Sequence, residues 1–332
     1  MKRPLLALLV AALLVAAIPA GAVQTDVGTA AAQFLQIGGG ARALGMGEAY
    51  TAVADGPDAV YWNPAGLSAM TSPEAAYART ELPAGLHHDF LAAGFPSQFL
   101  HGTLAVGVTR LSQDSLALVN ASNQSQGSFS PHSEVYALAY GARFGDSDAR
   151  GGRLSGGDAG PWIGDIAAGV SLKLIEENLG TRSASAFAVD GGATFRPLGL
   201  HDLILAGAFR NIGQKLNFIN DAEPLPGELA ASAAYDLRAG EDWRVVPALE
   251  VDAPYAGNIY GKVGCEATKT LSPDTSAAAR LGYTSVSSAD LGLLSGLTAG
   301  VGLKVAKFSF DAAFQPMAAL GESFRLGVGW KF

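Results

Sequence analysis

The chain has 332 residues, 42 of them glycine and only 16% charged, with a formal net charge of -8 and a mean hydropathy of +0.23. The acidic balance argues against nucleic acid as a partner, and the single cysteine, Cys265, rules out an internal disulfide. This composition fits neither a typical soluble enzyme nor a helical membrane protein. It goes instead with many short strands and tight turns, where glycine serves positive φ and crowded interior faces.

At the N-terminus, Lys2 and Arg3, an apolar run over 5–18 and the small-residue sequence Ala20-Gly21-Ala22 predict a secretory signal peptide spanning 1–22. Cleavage near Ala22 would leave Val23 first, where a lipoprotein would need an acylated cysteine. The apolar run is shorter than the roughly 20 residues of a helical span and is followed by Pro19. Every later apolar stretch is broken by Gly, Ser, Thr or a charge, so a membrane location requires a closed β-barrel. Cys265 then reads as a small apolar residue on a lipid-facing side.

Over 23–72 no period of two is sustained, and 41–53 is rich in Ala, Leu and Met, so short helices and loops are expected there. From Glu74 the pattern changes. Residues 73–332 alternate apolar with small residues over short stretches, separated by turn-rich segments at 120–127, 221–227 and 271–274. Early strands near 74–80, 89–95 and 103–110 are followed by strands whose large apolar residues keep one parity. Examples are Tyr136, Leu138 and Tyr140, then Val170, Leu172 and Leu174, then Phe187 and Val189, and late in the chain Phe308, Phe310 and Phe314.

The opposite parity carries Arg143, Lys173, Asp190, Arg210, Asp236, Arg244, Glu250, Lys262, Glu266, Arg280, Lys304, Asp311 and Arg325. One charge facing lipid near the midplane costs ~2–4 kcal/mol, so a phase kept through strand after strand places these side chains inside. The expected fold is an all-β transmembrane antiparallel barrel of about 14 strands, an even number as single-chain bacterial barrels require. A soluble β-sandwich explains the alternation equally well; the signal peptide and the last strand decide against it.

With both barrel ends on the periplasmic side, 112–131 and 214–227 are expected outside the cell and 196–199 and 238–241 in periplasmic turns. The long Gly- and Asp-rich stretch 145–164 also falls on the periplasmic side, unless the strand count is off by one. The chain closes on Phe324, Leu326, Val328, Trp330 and Phe332, alternating with Arg325, Gly327, Gly329 and Lys331. This resembles the terminal strand of bacterial outer-membrane barrels, whose final aromatic is part of the signal read by the barrel assembly machinery. Outer-membrane lipids and that machinery are the partners it implies, in the outer membrane of a Gram-negative bacterium.

Residues 31–68 read AAQFLQIGGGARALGMGEAYTAVADGPDAVYWNPAGLS. The glycines allow close backbone packing, and Asn63-Pro64 favours a fixed turn into the first strand. The segment closely resembles the N-terminal signature of the PorV/PorQ family, matched at Phe34, Leu35, Ile37 and Gly40, then through Arg42, Gly45, Met46, Gly47 and Asp55 to Trp62, Asn63, Pro64, Gly66 and Leu67. Asn-Pro-Ala-Gly-Leu also recurs in FadL-type transporters of hydrophobic compounds. The resemblance implies a hatch over 23–72 plugging the lumen. Arg42 could dock this hatch on inward carboxylates or stay solvated at the periplasmic mouth.

Two functions follow from the resemblance. A PorV-like protein would act in type IX-like secretion or surface attachment, with secretion-system proteins and exported cargo as partners. A FadL-like transporter would take a hydrophobic small molecule. Neither implies a cofactor. Gly40–Gly45 is no phosphate loop, because no strand leads into it and no Lys-Ser or Lys-Thr follows. His87, His88 and Asp89 lack spaced metal ligands and read as a polar surface loop. No Gly-x-Ser-x-Gly elbow stands out, so an enzyme is not expected. Trp243, Tyr255 and Tyr260 read as interfacial anchors.

Overall fold

A computed structural model describes residues 30–144, 164–180, 182–218, 221–286, 292–318 and 321–332. The expected signal peptide, 1–22, and most of the 145–164 stretch lie outside them. The alternation of apolar and small residues becomes fourteen antiparallel strands, each paired with the next and the first with the last, so that no barrel edge is left. They are β1 Glu74–Leu82, β2 Leu86–Ser97, β3 Gly102–Gln113, β4 His132–Phe144, β5 Gly164–Asn178, β6 Ser183–Pro197 and β7 Leu203–Gly213. The second half comprises β8 Glu228–Tyr235, β9 Trp243–Pro254, β10 Tyr260–Ser272, β11 Thr275–Thr284, β12 Leu297–Val305, β13 Phe308–Pro316 and β14 Glu322–Lys331. Closure is the β1–β14 pairing, running from Glu74 opposite Lys331 to Glu81 opposite Phe324.

An even strand number puts the start of β1 and the end of β14 at one mouth, here the terminal mouth. Phe144 and Gly164, which flank the undescribed connection, both end there too. The segments 114–131 and 214–227 lie at the far mouth, and each contains a short hairpin, Leu116–Val119 with Ser125–Phe129 and Leu216–Phe218 with Asp221–Glu223. The turn-rich composition of both segments had concealed these strands.

The parity holds around the wall. Tyr136, Leu138, Leu172, Phe187, Leu281, Val301, Leu326 and Trp330 are exposed on the outer face, whereas Lys173, Asp190, Arg210, Glu250, Lys262, Glu266, Arg280 and Arg325 are buried inside. Near the terminal mouth Phe308 stacks on Trp330 at 6.1 Å between centroids, and Trp330 meets Phe332 at 4.0 Å, forming part of an aromatic girdle.

Some charges do point outward. Arg79, Asp89, Arg110, Glu134 and Glu176 are aligned by register across β1–β5, with Arg79–Asp89 and Arg110–Glu134 each 3.2 Å apart. They stand one step beyond the row of Tyr77, Leu91, Val108, Tyr136 and Leu174, because these strands overrun the apolar belt towards the far mouth. The Tyr77 hydroxyl donates to Asp89 at 2.6 Å, so its ring stays with the apolar row while its oxygen reaches the polar one.

This row also corrects the expectation of a surface loop at His87–Asp89. The three residues lie within β2, where alternation turns His87 and Asp89 outward and His88 inward, 1% exposed. Among the described residues no group of three or more His, Cys, Asp or Glu side chains could hold a metal ion.

Candidate functional site

Residues 30–73 occupy much of the lumen and run from the far mouth to the terminal one. Ala31 N–H donates to Pro224 O in the far-mouth segment at 2.9 Å, and Phe34 and Leu35 pack there with Val135, Ile175, Leu216 and Leu225. Gly38-Gly39-Gly40 then leads into a helical turn, Ala41–Gly45. A second turn, Ala59–Trp62, is followed by the 3-10 helix Pro64–Ala69, and the chain leaves at the mouth where β1 begins.

The local sequence explains these turns. Asn63 Oδ1 accepts from Ala65 N–H at 3.1 Å, capping a helix whose first residue, Pro64, needs no donor. Its Nδ2 donates to Thr51 O at 2.9 Å, tying the two halves of the hatch together. Gly66 is obligatory because a Cβ there would strike Ala54 O. Trp62, 2% exposed, forms the centre, with edge contacts to Tyr50 and Tyr61 and its Nε1 donating to Gly39 O at 2.8 Å.

The wall grips this segment through ions. Arg42 lays its fork on Glu266 with two bonds of 2.8 Å and reaches Asp55 at 2.6 Å. Burial opposes its charge, but Asp55 and Glu266 more than offset that and hold its pKa above the usual arginine value. Glu250 Oε2 accepts from the N–H groups of Tyr50 and Thr51 at 2.9 and 2.8 Å. Arg210 bonds Glu228 and Asp252 at 2.8 and 2.7 Å and donates to Thr51 Oγ1 and Trp62 O, both at 3.2 Å. Lys262 lies 3.1 Å from Asp252 and 5.4 Å from the Trp62 ring centroid. Tyr260 belongs to this cluster: its hydroxyl donates to Glu228, so it points into the lumen and is no interfacial anchor. Trp243 and Tyr255 are exposed, as anchors need to be.

Glycines let the backbones meet. Met46, fully buried, sits against Gly264 and Gly282, where a Cβ would collide with the Met46–Gly47 backbone, and Gly47 N–H donates to Thr298 Oγ1 at 2.9 Å. Gly47 has φ +62, a conformation that favours glycine. Gly45 lies against Gly300 in the same way, and Gly141 and Gly169 receive Pro64. Gly282→Val is therefore expected to unseat this turn, measured as new protease cleavage within 41–70 of an otherwise folded barrel. Wild-type protection would show that the wall yields instead.

The hatch residues Arg42, Gly45, Met46, Gly47, Asp55, Trp62, Asn63, Pro64 and Gly66 thus all lie inside the barrel, most of them at its closest contacts. Of their wall partners, Arg210, Glu250 and Lys262 were legible from parity only as inward charges, and Glu228 and Asp252 were not singled out at all. Nothing in the sequence marked them as one cluster.

No protein-family profile and no curated protein matches the chain. Solved structures do. The toluene transporter TodX of Pseudomonas putida superposes with a TM-score of 0.57 at 12% identity, covering 88% of this chain and 97% of that one. What is shared is the fold, a closed antiparallel β-barrel of fourteen strands. The toluene transporter TbuX of Ralstonia pickettii gives 0.54 at 12% identity over 89% and 98% of the two chains, and the monoaromatic hydrocarbon channel CymD gives 0.53 at 11% over 89% and 98%.

Proposed function

We propose that this protein is an outer-membrane channel for a hydrophobic small molecule, gated by its hatch, with the far mouth outside the cell and the terminal mouth in the periplasm. The observation that carries it is a closed fourteen-strand barrel with its own N-terminal segment wedged in the lumen, and the toluene transporters TodX and TbuX superpose on 88% and 89% of this chain. On the outer side the hatch meets the wall around a gap of about 20 Å³, lined mainly by the apolar groups of Leu35, Val60, Tyr61, Phe90 and Val135 together with Thr109 and Lys173. That is room for roughly one water, so this is the closed state. Three consecutive glycines, Gly38-Gly39-Gly40, join the outer piece to the ion-gripped remainder and would let it swing without breaking the charge contacts.

On the lipid side of the same wall, Leu138, Leu172, Phe187, Val189 and Ile212 line an apolar groove of about 640 Å³. It adjoins the place where the β6–β7 register shifts between Val189 and Gly191, and a hydrophobic ligand would find little polar surface there. The purified, delipidated barrel is expected to bind toluene or a long-chain hydrocarbon. Retention of neither sinks the transport reading.

A second reading, a PorV-like role in type IX-like secretion or surface attachment, is favoured by the hatch sequence. Its matched residues sit at the docking points, which suits a barrel held shut while its surface receives proteins. Genes for secretion components or for cargo with a matching sorting domain should then lie beside this one, and absence of both counts against it.

A further inference from the structure

At the terminal mouth the hatch leaves part of the lumen empty. A chamber of about 410 Å³ opens beneath Gly40–Arg42 and Asp55–Asp58, against the inner faces of β10–β14 and β1. The wall gives up side-chain volume there in two registered rows. One row runs Ala278, Gly302, Asp311, Gly327, Ala78, and the next, nearer the mouth, runs Ser276, Lys304, Ser309, Gly329, Ala76. Asp311 and Lys304 are the only large side chains in either row.

The charges that line the chamber divide into committed and free. Arg42 and Arg280 share Glu266, Arg280 also holds Asp311 at 2.7 Å, and Lys331 holds Glu74 at 2.8 Å. Lys304 and Lys307 line the same chamber, and among the described residues neither has a carboxylate within ion-pair distance. Lys304 stands between two hydroxyls, with Ser276 opposite it on one side and Ser309 on the other. The one lining carboxylate without an ion pair among the described residues is Asp58. Burial, then the neighbouring charge of Asp311, push its pKa up to about 7; Asp55 adds to this and Arg42 and Arg325 oppose it. Two lysines without a carboxylate partner therefore line the same chamber as a carboxyl that is only partly ionised near neutrality.

We propose that this chamber binds a small organic anion, a carboxylate or a phosphate monoester, whose charged group lies between Lys304 and Lys307 and accepts hydrogen bonds from the hydroxyls of Ser276 and Ser309. The volume is that of an ordinary small-molecule site, and the polar lining is unlike the apolar gap at the outer end of the hatch. The proposal does not depend on what crosses the barrel.

The test is calorimetric titration of the intact, detergent-solubilised chain with benzoate and with phenyl phosphate. Saturable binding of at least one is expected, weakening with salt and falling about tenfold or more in the K304A/K307A double variant. Both lysines are exposed, so that variant should keep the folded barrel. Benzoate affinity should rise as pH drops from 8 to 6, because Asp58 gains its proton, and Asp58→Asn should abolish that dependence while tightening binding at pH 8. Absence of saturable binding by both probes, or binding that K304A/K307A leaves unchanged, overturns the proposal.

Discussion

A chain lacking residues 24–70 is expected to form barrels that conduct ions stepwise in planar bilayers, where the intact protein stays closed. The wall does not need the hatch to close, since β1 pairs with β14 and β8 with β9 directly along their backbones. Many of the wall's charges also have partners on the wall itself, as in Lys173–Asp190 at 2.5 Å and Arg280–Asp311 at 2.7 Å. What the deletion removes is the filling. Trp62, Tyr50, Met46, Leu44 and Leu67, all fully buried, would leave a polar lumen ringed by Arg210, Lys262, Glu250 and Glu266, and a barrel of this strand number is wide enough to flood. Conductance no greater than that of the intact chain would mean that something other than this segment seals the pore.

Arg210→Leu should produce the largest loss of stability of any single change in the lumen. Among the described residues Arg210, 3% exposed, is the only arginine that pairs with three buried carboxylates: it bonds Glu228 and Asp252 and lies 3.8 Å from Glu250. Its removal leaves Lys262 alone to balance them and strips Thr51 Oγ1 and Trp62 O of a donor. Breaking a buried ion network on one side costs about 3–5 kcal/mol, because the carboxylates stay desolvated without their partner. Unfolding by urea in lipid vesicles reads that loss directly. Arg210→Lys, which keeps the charge but not the fork, should fall between the two. A change in Arg210→Leu of less than about 1 kcal/mol would show that water enters the cluster and that the hatch is held by packing.

Parity made the barrel legible. Tyr136, Leu138 and Tyr140 had to share a face because a strand allows nothing else, and the same rule sent Lys173, Arg210 and Arg325 to the other. The rule was not applied to the charges of the first strands, which overrun the apolar belt, nor to Tyr260, which was judged as an aromatic without its phase. Arg79 and Asp89 face outward beyond the apolar belt, and Tyr260, one step out of phase with Val263, turns inward to Glu228. The hairpin at 116–129 was hidden for a different reason, since a short sheet with no buried face has no alternation to impose.

By itself, then, the sequence determined which side of the wall most of its strand residues take, that about fourteen strands form the wall, and that a glycine-rich segment with its own turns precedes them. These are local properties, set by neighbours two or three residues away. Which charges meet was decided only by tertiary structure. Arg42 finds Glu266, and Glu250 finds the backbone of Tyr50 and Thr51, across about 200 residues of chain, through strand register and the path of the hatch. The empty chamber beside Lys304 and Lys307 has the same origin. Small residues on separate strands make a cavity only when the register aligns them and the hatch passes to the other side.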